Sequence, residues 1–141
     1  MRNLFFLKPT EEQALLALVK GKGLVVVTGC GHQTAKLLLD YVRLLSNEPI
    51  HAIVGGFHLP VAEGRGAYGG IQAQSLIGTG KPPWQSIGEA EIKETIDAFN
   101  EIAPKYVYLS AHDSCDHSIE RLQREVDAKV EVLRAGGKYR F

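Results

Sequence analysis

The sequence predicts an α/β layer fold, on three observations. Three short β-rich apolar runs, 24–27, 50–54 and 106–109, recur along the chain. Segments with helical spacing separate them, at 34–45 and 86–102. Each run also ends in a turn that presents a histidine: His32, His58 and His112. Strands alternating with helices are the signature of layered α/β architecture. Three strand ends carrying histidines are expected to meet at one sheet edge.

At 141 residues the chain suits a single domain, 1–141, and its 45% apolar content is enough for a real core. Formal net charge is zero and the pI is near 7.0. That argues against a nucleic-acid footprint or a membrane-surface patch, since both rest on excess Lys and Arg. No apolar run approaches the roughly 20 residues of a membrane helix. Two distant cysteines make no disulfide framework, and a reducing, cytoplasmic setting is the default.

In chain order, 1–9 is mixed, with an apolar knot at 4–7 that reads as a short strand or an arm on a partner. The run 13–20 could be helix by propensity, but Lys20-Gly21-Lys22-Gly23 is a tight turn followed at once by β-rich residues. A hairpin, 13–20 with 24–28, is the better reading. Residues 34–45 place Leu38, Tyr41, Val42 and Leu45 at helical spacing, and Pro49 stops that helix. A strand at 50–54 leads into Gly55-Gly56. The stretch 59–88 is a long Gly- and Pro-rich loop, far beyond an ordinary connection, and reads as covering a site or a partner, with Trp84 as its anchor. A helix at 86–102 opens with Glu89, Glu91 and Glu94, where the helix dipole favours negative charge. A strand at 106–109, a helix at 118–126, a strand at 129–133, a turn at Gly136-Gly137 and a terminal strand at 138–141 complete the chain.

Cys30 and His32 sit two residues apart on the glycine-rich turn after 24–28, and a thiolate and an imidazole there both suit zinc. Equally, Cys30 is a small buried hydrophobe and His32 a turn residue. His58 follows Gly55-Gly56-Phe57 at a strand end, either as a half-buried loop histidine or as a catalytic one. His112, Asp113 and Ser114 follow the third strand, with Cys115, Asp116 and a solvent-facing His117 close behind. Asp113 or Asp116 can orient a histidine. Asp113 or Ser114 can equally be the N-cap of the next helix. A phosphate loop is excluded, because Gly80-Lys81 is followed by Pro82 and not by Ser or Thr. A GxSxG elbow is also absent.

The order TGCGH, then GGFHL, then a strand and HDS resembles the metallo-β-lactamase-like hydrolases. It looks most like the branch of dihydropterin ribofuranosylaminobenzene phosphate synthases. The resemblance implies half of an αββα sandwich: a mixed sheet with helices on one face and a partner chain covering the other. It implies Cys30, His32 and His112 as metal ligands. His58 and Asp113 would be catalytic groups, with His58 and Ser114 near the substrate. The family's early HxHxDH motif is absent from these residues, so they correspond to the C-terminal half. A divalent metal is implied, zinc by preference, with manganese or iron as alternatives. The expected function is one part of a metal-dependent hydrolase acting on a small molecule. Its partner is a second copy or a complementary chain carrying the HxHxDH half. The competing expectation is a non-catalytic homo-oligomeric half-domain, a scaffold or small-molecule binding module.

Overall fold

The computed structural model describes residues 12–61, 67–68, 71–72, 87–112 and 114–140. Within them the hairpin forms as the Lys20–Gly23 turn requires: β1 (Ala14–Val19) pairs antiparallel with β2 (Gly23–Thr28). Then follow α1 (Ala35–Leu45), β3 (Ile50–Gly55), the two-residue strands β4 (Ala67–Tyr68) and β5 (Ile71–Gln72), α2 (Glu89–Ile102), β6 (Tyr106–Leu109), α3 (Asp116–Glu125) and β7 (Lys129–Val132). The main sheet runs β1-β2-β3-β6-β7. Strands β2, β3, β6 and β7 are mutually parallel and β1 is the antiparallel edge.

Each parallel step advances the sheet in one direction, with a helix in the crossover. Right-handed crossovers then put α1, α2 and α3 on one face. Packing of α1 on α2 and of α2 on α3 agrees. Val26, Ile53, Val107 and Val130 lie in register across the sheet. They join the core with Leu38, Leu39, Val42, Ile92, Ile96, Phe99, Ile119 and Leu122 from the helices. Phe57 meets Phe99 edge to face at a centroid distance of 5.0 Å, which ties the turn after β3 to α2.

The other sheet face carries Val25, Ala52, Val54, Tyr106 and Tyr108 by strand alternation. Near β6 and β7 it is covered by the chain's own C-terminal segment. The Tyr108 hydroxyl donates to the Arg140 carbonyl at 3.1 Å, and the Tyr139 ring lies 5.1 Å from that of Tyr108. The terminal strand expected at 138–141 does not form. Residues 138–140 are irregular, and Phe141 lies outside the described residues. The Tyr139 hydroxyl accepts from Arg134 N–H at 2.7 Å, so a side chain occupies a donor that a ladder would need. Most of 59–88, with Trp84, and the expected arm at 1–9 also lie outside the described residues.

Helix ends differ from expectation by local capping chemistry. The expected 86–102 helix begins at Glu89, because Gly88 is its N-cap and the Glu91 carboxylate accepts from Gly88 N–H at 2.7 Å. The third helix starts at Asp116 with Cys115 as N-cap, so Ser114 is not the cap. On α1, Ala35, Leu38, Leu39 and Val42 are buried, whereas Tyr41 and Leu45 are exposed.

Candidate functional site at the C-terminal edge of the parallel strands

The order β2-β3-β6 sets the turns after those strands side by side at one edge, the edge where open parallel sheets ordinarily bind ligands. Those turns carry Cys30 and His32, then His58, then His112. They are tied by the main chain: Gly56 N–H donates to Gly29 O at 2.8 Å, and Ser110 N–H donates to Gly55 O at 2.7 Å. Two glycines make the approach possible. Gly31 has φ +78°, and a Cβ there would lie 2.1 Å from Gly56 O. Gly55 has φ +145°, and its Cβ would lie 2.4 Å from Thr28 O.

The close approach stacks the rings of His32 and His58, with centroids 4.2 Å apart and planes at 30°. His58 is 4% exposed, so it is buried rather than half-buried. The pair opens on a cavity of about 30 Å³ lined also by Thr34, Phe57, Glu91 and Glu94. That is room for about one water. Three non-glycine residues have positive φ among those described: Thr34, His58 and Ala103. Ala103 is an ordinary left-handed helix stop after α2. The other two both line the His32–His58 cavity. Backbone strain of this kind costs about 1–3 kcal/mol per residue and concentrates at functional sites.

The third turn is built differently. His112 is exposed, and its N–H donates to Ser110 Oγ at 3.4 Å. Asp113 lies outside the described residues. Ser114 is buried, and its Oγ accepts from Leu59 N–H at 3.3 Å. Ser118 Oγ donates to Leu59 O at 2.7 Å. Both polar groups of Leu59 are thus held by the segment after β6, which fixes the chain leaving His58. Cys115 is buried, with Sγ 3.0 Å from Ser118 Oγ. Exposed His117 pairs with Glu89 at 2.7 Å and stands apart from the turns.

Glu12 is a site residue that the motifs did not reveal. Its Oε1 accepts from His32 N–H at 3.3 Å across 20 positions of sequence. Only the hairpin, which brings the start of β1 back beside the end of β2, places it there. The available signal was an acidic residue directly before the first strand.

Among the described residues, no three His, Cys, Asp or Glu side chains come together as a set able to hold a metal ion. Cys30 and His32 share one turn, but His112 leaves the sheet two strands away, about 9–10 Å at ordinary strand spacing. A catalytic zinc takes three protein ligands. These residues alone therefore do not complete a metal centre.

Comparison with known proteins places the fold in a class. A crystal structure of a metal-dependent hydrolase of the β-lactamase superfamily superimposes with a TM-score of 0.67 at 26% identity, over 91% of this chain and 40% of that one. The chain is related to the metallo-β-lactamase superfamily of hydrolases. Its similarity reaches a particular branch: it is 31% identical over 72 residues to the 7,8-dihydropterin-6-methyl-4-(beta-D-ribofuranosyl)-aminobenzene-5'-phosphate synthase of Methanocaldococcus jannaschii. That match covers 50% of this chain and 24% of the synthase. The chain thus spans well under two thirds of either protein. No family model matches it. No described helix is long and apolar enough to cross a membrane.

Proposed function

We propose that this chain forms one part of a metal-dependent hydrolase of the metallo-β-lactamase superfamily, acting on a small molecule, with its site completed by a partner chain. The observation that carries this reading is the strained, glycine-tied joining of the turns after β2 and β3, with the His112 turn beside them. In this reading Cys30, His32 and His112 donate to a divalent metal, zinc by preference, with manganese or iron as alternatives. The metal supplies Lewis-acid polarisation of the scissile group. His58 and Asp113 serve proton transfer. His58 also faces the substrate, and Ser114 shapes that side through Leu59. The partner, a second copy or a chain bearing the HxHxDH half, adds the remaining donors. Two free cysteines suit a reducing, cytoplasmic setting.

The test is metal titration of the chain alone and together with an HxHxDH-bearing chain. Substoichiometric zinc alone, stoichiometric zinc in the mixture, and loss of it in His112→Ala are the expected results. A second reading has its own support in the lack of a three-donor set among the described residues. In it the chain is a non-catalytic homo-oligomeric half-domain, a scaffold or small-molecule binding module. A mixture that takes up no metal would favour that reading.

A further inference from the structure

Leu59 is buried beyond the last ladder pair of β3 and β6, Gly55 with Leu109, so the sheet does not receive its N–H or its C=O. Buried main-chain groups are costly when left unpaired. Leu59 also follows His58, whose left-handed backbone, φ +43°, persists only where its neighbours hold it. The segment after β6 meets these needs together. Ser114 Oγ accepts from Leu59 N–H at 3.3 Å. Leu59 O accepts from Ser118 Oγ at 2.7 Å and from Cys115 N–H at 3.3 Å.

Ser118 is the member that α3 itself does not call for. It is fully buried, on one stripe with Ile119 and Leu122. Alanine would suit the helix better there, with higher propensity and no hydroxyl to satisfy. A helical serine ordinarily turns its hydroxyl back to the carbonyl three or four residues earlier. Ser118 sends it out of the helix instead, to a carbonyl 59 positions away. The direction of that bond is fixed, because a carbonyl only accepts. Cys115 Sγ, 3.0 Å from Ser118 Oγ, is then the donor to that oxygen.

We infer that Ser118, together with Ser114, is a positioning residue for His58. Their clasp on Leu59 holds the His58 backbone in its left-handed conformation and so keeps the imidazole stacked on His32. The two histidines ride on different turns, joined by Gly56 N–H to Gly29 O at 2.8 Å. That bond sets the spacing of the turns, but it lies two residues before His58 and leaves the His58 φ open. The clasp acts one residue after His58 and closes it. The inference rests on the proposed role of His58 as a site group.

Nuclear magnetic resonance of the histidine rings, with hydrogen exchange of the Leu59 amide, tests it. The wild-type chain should show Overhauser contacts between the His32 and His58 rings and a protected Leu59 amide. Ser118→Ala should lose the ring contacts and exchange the Leu59 amide roughly tenfold faster, with unchanged circular dichroism. Ser114→Ala should do the same from the amide side, and it decides the matter if Ser118→Ala does not fold. Ile119→Val trims the same stripe of α3 without touching the clasp, and should keep the ring contacts. Rings still in contact in either folded serine variant overturn the inference. So does a wild-type chain without the contacts, or their loss in Ile119→Val, since ordinary loosening of α3 would then suffice. Neither readout involves metal or turnover. A chain that takes up no metal yet shows clasp-dependent rings overturns the proposed function and leaves this inference standing.

Discussion

At Gly31 the fit between two turns leaves no room for a methyl group. Its φ of +78° strains any L-residue, and the added Cβ would strike the Gly56 carbonyl, a backbone atom with no easy retreat. Gly31→Ala should therefore destabilise the fold by about 2–4 kcal/mol, read from urea denaturation. A loss under about 1 kcal/mol would mean the turns are not held in contact. The glycines, Cys30 and the three histidines were legible from the sequence because strand-turn-histidine is a local pattern. The stacking of His32 on His58 and the Glu12 hydrogen bond to His32 were not. Both depend on which strands are neighbours, a long-range property that no local spacing encodes. Ser114 was legible as a residue of interest, but its hydrogen bond to Leu59 bridges 55 positions.

Among the elements, α2 connects the core to the site. Phe99 is fully buried and meets Phe57, the residue before His58. Phe99→Ala should cost about 3–5 kcal/mol in thermal or urea unfolding, since it leaves a large cavity under that turn. On α3, Arg121 and Arg124 hold the Glu125 carboxyl down to about 2, against an ordinary 4.5. Because the folded value is the lower one, this pairing stabilises the fold above the ordinary carboxylate range. Its contribution is lost as pH falls from about 4.5 toward 2. Glu125→Gln should flatten the pH dependence of unfolding in that window and leave it unchanged near neutrality. The elements themselves were readable, since apolar runs bounded by Gly and Pro leave few alternatives. Two misreadings share one cause. Residues 138–141, after the Gly136-Gly137 turn, read as a terminal strand, and Tyr41 and Leu45 read as part of the apolar stripe of their helix. Local pattern does not say whether a neighbouring strand or helix is present to receive them. The Tyr139 hydroxyl took the place of a ladder in the first case, and in the second α1 overhangs the edge strand.

For the whole molecule, fold and family were legible together. The motif order TGCGH, GGFHL and HDS carried the resemblance, and the superposition on a metal-dependent hydrolase bears out the fold. In the proposed reading the completeness of the site is a property of an assembly, and donors outside these residues leave no trace in their spacing. The most direct measurement is anomalous diffraction at the zinc edge from crystals of the chain assembled with an HxHxDH-bearing partner. A metal peak bounded by the Cys30–His32 turn and His112 is the expected result. An assembly with metal bound elsewhere, or with none at this sheet edge, would contradict it.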